Sequence, residues 1–153
     1  FDKVPHARLL AKLKEIGARG KVLNWIAEWL RGRKQRVVIF GDASEWEDVL
    51  NGVPQGSTLE PLIFLIYIND IDMGIMRNIL KCDDDTKMYG KVGTSKGIDI
   101  MRKDLEALNV WSEKWQMMFN VEKCKIMHFG KNNPKAEHKM NKQKLKEINE
   151  EKN

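Results

Sequence analysis

The chain has 153 residues, 42% hydrophobic and 8% aromatic, enough for one modest domain with a core and too apolar for wholly disordered chain. Its 27 Lys and Arg against 22 Asp and Glu leave a formal charge of +5, which is compatible with a polyanionic partner without demanding one. Cys82 and Cys124 cannot build a disulfide framework or a zinc site alone, His6, His128 and His138 are widely dispersed, and no run of ~18 apolar residues offers a membrane span.

From the start of the chain, Leu9, Leu10, Leu13 and Ile16 fall on one face of a predicted helix over Ala7–Ile16, which Gly17 and Gly20 end. Val22, Leu23, Ile26, Trp29 and Leu30 repeat the pattern, so the two segments form a predicted helical hairpin. Arg31–Arg36 is a basic connector, Val37–Phe40 a short β-branched strand, Gly41–Ser44 a turn and Glu45–Leu50 a returning strand. Gly52-Val53-Pro54-Gln55-Gly56-Ser57 is a loop, and Pro61 opens an apolar helix to Asp70.

Asn78–Cys82 and Thr86–Tyr89 then read as a β-hairpin with Asp83, Asp84 and Asp85 at its tip. Ile98, Met101, Leu105, Leu108, Trp111 or Ser112, and Trp115 recur at helical steps behind Ser95. Lys123–Phe129 is a predicted strand and Gly130–Pro134 a turn. Residues 136–153 are almost wholly polar or charged and are expected to fray when alone. The tryptophans Trp25, Trp29, Trp111 and Trp115, with Met117 and Met118, read as packing residues. No internal repeat is present, and the order of elements is α+β, not alternating βαβ.

The acidic triplet is the most unusual local feature. Adjacent carboxylates repel, and each raises its neighbours' proton affinity. Solvation relieves this, and so does a hard divalent cation such as Mg²⁺. A pair of such ions can activate a 3′-hydroxyl and stabilise a leaving pyrophosphate. On an extended strand Asp83 and Asp85 face one way and Asp84 the other, so a metal site needs the turn to gather them. Read alone, the triplet is more simply a solvated turn. The loop around Gln55 lets a backbone approach a ligand closely, or is an ordinary connection. The Arg31–Arg36 run grips phosphates or is a solvated face.

Taken together and in order, the motifs are far more specific. Phe1-Asp2-Lys3-Val4-Pro5-His6, Arg33-Lys34-Gln35-Arg36-Val37, Gly52–Ser57 leading into Pro61–Asp70, Asp84-Asp85-Thr86-Lys87, Trp111-Ser112 and Phe119–Lys125 resemble the reverse transcriptase domain of jockey-type and related LINE-like, non-long-terminal-repeat retrotransposons. The resemblance implies a right-hand polymerase fold, with the palm and part of the fingers in residues 1–135 and a polar tail, 136–153, leading toward a thumb. It implies RNA-directed DNA synthesis from an RNA template, a DNA primer and deoxynucleoside triphosphates, with two Mg²⁺ ions and no membrane. Nothing in it fixes an oligomeric state. Action at chromosomal DNA, hence in the nucleus, is implied for the parent element.

The same resemblance assigns roles. Phe1 corresponds to the bulky residue beneath the incoming sugar, Gln55 and Gly56 to the loop touching template and nucleotide, and Arg33 and Arg36 to a template-contacting region. Asp84 and Asp85 correspond to the metal-binding catalytic pair, and Lys123 to the residue that helps protonate pyrophosphate.

Departures from the pattern are equally specific. The family's first catalytic Asp precedes the position of Phe1, and the domain is expected to be incomplete at both ends. Cys82 and Asp83 replace an aromatic residue and an alanine, and Glu60 replaces a glycine. By that resemblance the added charge of Asp83 would face the primer end or the triphosphate and repel it. The expectation for this chain alone is therefore no polymerisation, with a catalytically dead nucleic-acid-binding remnant or a non-functional relic as the alternative.

Overall fold

The computed structural model describes residues 2–54, 56–82 and 85–149. It is an α+β chain that divides into two units, Phe1–Asn69 and Asp70–Asn153.

In the first unit, α1 (His6–Glu15), α2 (Gly20–Leu30) and α3 (Glu60–Ile68) supply the core. Leu9 and Leu13 of α1, Leu23, Ile26 and Leu30 of α2, and Ile63, Phe64, Tyr67 and Ile68 of α3 are all buried, each such side chain contributing about 1.5–3 kcal/mol by leaving water. Val22 and Trp25, expected inside, are 61% and 55% exposed. They lie on a second face of α2 that its partners do not reach, and Trp25 stacks on Trp29 with ring centroids 5.9 Å apart. Ile16 is also exposed, because α1 stops one residue earlier and Ile16 is its cap.

Lys12 is a charge at an apolar position. It is 3% exposed, donates its Nζ hydrogens to the Tyr67 carbonyl and lies 5.0 Å from the centre of the Tyr67 ring. A cation at the last carbonyls of α3 meets the negative end of the helix dipole.

Between α2 and α3 runs a thin ribbon: β1 (Lys34–Gln35), β2 (Val38–Ile39), β3 (Asp42–Ala43) and β4 (Glu47–Asp48). β1 pairs with β4 and β2 with β3, both antiparallel. The basic connector is thus partly strand, and the turn is Phe40-Gly41, not Gly41–Ser44. Both turn residues have positive φ, 51° and 98°, the twist a two-residue hairpin loop requires.

The second unit holds β5 (Asn78–Cys82), β6 (Asp85–Tyr89), α4 (Ser95–Trp115), β7 (Lys125–Met127), β8 (Lys139–Met140), β9 (Gln143–Lys144) and β10 (Lys146–Ile148). α4 follows the sequence pattern. Leu105, Leu108, Trp111, Ser112 and Trp115 are buried, Thr94 caps its start by accepting from the Gly97 N–H at 3.1 Å, and Gln116 ends it in a left-handed conformation. Met118, read as packing, is 61% exposed.

The last segment departs most from expectation. Instead of fraying, residues 139–148 form β8 to β10. Met140 and Leu145 are buried, β8 packs on α4, and β10 pairs in parallel with β7, Lys146 opposite Lys125 and Ile148 opposite Met127. Its few apolar residues are spaced to meet a surface already present, which composition averaged over the segment conceals.

Candidate polymerase site

Phe1, Gln55, Asp83 and Asp84 lie outside the described residues; Asp85, Gly56, Arg33, Arg36 and Lys123 lie within them.

Asp85 opens β6, with its side chain exposed. β5 and β6 pair over five rows, from Asn78 opposite Tyr89 to Cys82 opposite Asp85. Burial alternates along both strands, so one face of the hairpin is half-buried and the other is in water. Asp85, expected with Asp83 and Asp84 at the hairpin tip, pairs with Cys82 as the first residue of β6.

Below the hairpin, α4 holds the chain that feeds β5. The Asp104 carboxylate is 1% exposed and accepts the backbone N–H groups of Met76 and Arg77, each at 2.9 Å. The Trp111 indole donates to Asp70 at 2.8 Å, and Lys81 of β5 pairs with Asp72 at 3.0 Å.

Gly56 belongs to a loop tied at several points. Gly52 N–H donates to the Val4 carbonyl at 2.8 Å, the His6 imidazole Nε2 is 2.8 Å from the Gly52 carbonyl oxygen, and Pro5 bridges to Asn51. Gly52 has φ +88°, and a Cβ there would come within 3.0 Å of the Asp2 backbone, so only glycine admits this approach. The segment after Phe1 is therefore stitched to the Gly52–Ser57 loop.

Glu60 closes the other end of that loop. Its carboxylate accepts the Gly56 N–H at 2.8 Å, while Ser57 Oγ accepts the Glu60 N–H at 3.1 Å and donates to the Pro54 carbonyl at 2.9 Å. Ser57 and Glu60 stand at the Ser-x-x-Glu spacing of a capping box, although α3 itself begins at Glu60 with Leu59 as its N-cap. Here the carboxylate binds one residue ahead of the usual N–H.

Arg33 is half-buried and Arg36 exposed. The Arg36 guanidinium lies 4.6 Å from the Trp46 ring centre, and the Arg33 carbonyl accepts from the Val49 N–H at 2.8 Å. Lys123 is exposed in a turn before β7, its N–H bonded to the Asn120 carbonyl at 3.0 Å, not in the strand expected there. An open groove of about 600 Å³ beside this turn is lined by Glu113, Phe119, Glu122 and Lys142 among others; neither Asp85 nor Lys123 lines it.

Among the described residues, no three His, Cys, Asp or Glu side chains gather as a metal cluster. Asp85 brings a hard, exposed oxygen donor of the kind Mg²⁺ prefers. Cys124 is half-buried and burial pushes its thiol pKa up, which disfavours the thiolate a soft metal would need. No helix among the described residues is long and apolar enough to cross a membrane.

Comparison with known proteins gives a consistent result. The family model described as reverse transcriptase (RNA-dependent DNA polymerase) matches residues 1–149. The RNA-directed DNA polymerase from mobile element jockey of Drosophila funebris is 28% identical over 138 residues, and that of Drosophila melanogaster 29% over 143; each alignment covers 84% of this chain and 15% of the relative. The probable RNA-directed DNA polymerase from transposon X-element of Drosophila melanogaster is 25% identical over 135 residues, again 84% of this chain and 15% of the relative. This chain thus spans about 15% of the length of these relatives. With the motifs in order and the model matching almost every residue, the chain belongs to the reverse transcriptase family.

Proposed function

We propose that this chain is part of the polymerase core of an RNA-directed DNA polymerase encoded by a jockey-type mobile element. Residues 1–135 would contribute palm and part of the fingers, and residues 136–153 the path toward the thumb. The observation that carries this reading is the hairpin Asn78–Tyr89, in which Asp85 pairs with Cys82, in a chain matched along residues 1–149 by the family.

Asp84 and Asp85 would hold divalent magnesium. Bound there, Mg²⁺ would lower the pKa of a primer 3′-hydroxyl and offset charge on the triphosphate. Lys123, solvent-exposed on its turn, would protonate departing pyrophosphate. Phe1 would sense the sugar by contact. Gln55 and Gly56 would meet template and nucleotide, and Arg33 and Arg36 would hold template phosphates.

Asp83 favours a second reading, a nucleic-acid-binding protein without chemistry. It adds a charge next to the metal pair, where it would repel the triphosphate.

Primer extension on an RNA template separates the two. The protein is the longer polypeptide read in frame through this chain, with Asp83 present and with Asp83→Ala. Metal-dependent incorporation that vanishes in Asp85→Asn supports the polymerase reading. Salt-sensitive binding of the RNA–primer duplex with no incorporation in either form supports the second.

A further inference from the structure

We infer that Asp104, in the middle of α4, is a positioning residue for the metal-binding carboxylates, acting through the base of the β5–β6 hairpin; this rests on the reading of Asp84 and Asp85 as metal ligands. Asp104 is almost wholly buried, at 1% exposure. Both of its oxygens are engaged, one on the Met76 N–H and one on the Arg77 N–H, the two residues immediately before β5. A buried carboxylate is retained at such a place only when its hydrogen bonds replace its hydration.

Arg77 carries the connection further. Its guanidinium donates to the Lys91 carbonyl at 2.6 Å and the Gly97 carbonyl at 2.9 Å. Lys91 follows β6, and Gly97 lies in the first turn of α4. One carboxylate and one guanidinium thus join the chain entering the hairpin, the chain leaving it and the helix beneath.

Two glycines leave room for this joint. A Cβ on Gly90 would come within 2.5 Å of Arg77 Cδ, and one on Gly97 within 2.7 Å of the Lys91 carbonyl oxygen.

The hairpin has no third strand among the described residues, and an isolated two-stranded hairpin is marginal by itself. Its direction is therefore set by its ties to the rest of the unit, the joint at its base and the Lys81–Asp72 pair at 3.0 Å. Asn78 and Cys82 are four steps apart, or about 14 Å of strand. Ligand geometry must hold within about 0.5 Å. Over that lever arm, a swing of about 2° at the base exhausts the tolerance. A side chain at the base can therefore alter metal affinity without touching the metal, as supporting residues around metal ligands commonly do.

The test is Mn²⁺ binding by the full 153-residue chain, followed by water-proton relaxation, with folding checked by a circular-dichroism melt. Asp104→Asn keeps one acceptor for the two N–H groups, and the Trp111–Asp70 and Lys81–Asp72 contacts remain. The expected result is a cooperative melt with Mn²⁺ affinity about tenfold weaker. Asp85→Asn should abolish saturable binding. Asp99→Asn, on the exposed side of α4, should leave it unchanged.

Wild-type affinity in a folded Asp104→Asn chain overturns this inference and leaves the metal reading standing. Absence of saturable binding in the wild-type chain removes the metal reading itself, and the positioning role with it. If Asp104→Asn does not fold, Arg77→Lys takes its place, because it keeps the backbone bonds and the charge while losing the paired carbonyl clamp. About tenfold weaker binding in that variant sustains the inference, and unchanged binding overturns it.

Discussion

The Lys34–Asp48 and Asn78–Tyr89 ribbons are of similar length and opposite construction. The Lys34–Asp48 ribbon consists of two-residue strands, every strand residue exposed. Its apolar side chains, Val37, Val38, Ile39 and Trp46, are all more than half in water, and Phe40 at the tip is fully so. The Asn78–Tyr89 hairpin has five continuous rows, a half-buried face and a carboxylate–guanidinium joint at its base. Hydrogen-bonded rows alone do not fix a ribbon in place; an anchor on a helix does. The ribbon carrying Asp85 is the anchored one.

The largest effect expected from breaking this contrast is on the anchor. Asp104→Ala removes the acceptor of the Met76 and Arg77 N–H groups and should cost about 3 kcal/mol in a denaturant melt. Gly97→Ala drives a methyl group into the Lys91 carbonyl and should cost about 2 kcal/mol by the same measurement. The unanchored ribbon should respond in the opposite sense. Phe40 is held at φ 51° and buries nothing, so Phe40→Asn should raise stability by about 1 kcal/mol, as a side chain suited to left-handed turns replaces one that is not.

The smallest effect is a pH dependence in the last strands of the second unit. Burial holds the His138 pKa below its ordinary 6.5, with Arg102 and His128 pushing the same way. His128, itself mostly buried, has Nε2 3.9 Å from Glu147 Oε1. The folded chain therefore binds a proton at His138 less readily than the unfolded chain. Stability is full above 6.5 and declines as pH falls from there toward the lowered folded value, where the loss is complete. Denaturant midpoints measured at descending pH should show this decline, and His138→Gln should flatten it.

Much of the anchored hairpin was legible in the sequence. The periodicity behind Ser95 marked α4, and the segments Asn78–Cys82 and Thr86–Tyr89 flanking the acidic triplet marked β5 and all but the first residue of β6. Asp104 was missed because periodicity assigns charges to solvent. Yet it follows Met101 by three positions and precedes Leu108 by four, so it lies inside the apolar stripe, as Lys12 does between Leu9 and Ile16. A charge within a stripe is the readable sign of a buried polar anchor. The parallel pairing of β7 with β10 was not readable, because it joins segments about twenty residues apart and neither carries a strong local preference.

The candidate site was legible as a set of residue types in order and less so as geometry. Resemblance pointed to Asp85, Gly56, Arg33, Arg36 and Lys123, but not to the pairing that draws Asp85 into β6, the turn that holds Lys123, or the indole of Trp46 beneath Arg36. Those details come from local turn geometry and cross-strand contacts, which residue types in order do not specify.

The Glu60 carboxylate on the Gly56 N–H means that this loop carries its own anion. A phosphate or a sugar oxygen approaching that donor meets an intramolecular competitor whose effective concentration is set by four residues of chain. Any acceptor entering at that donor would have to displace this carboxylate, so that occupancy would be an exchange and not a filling.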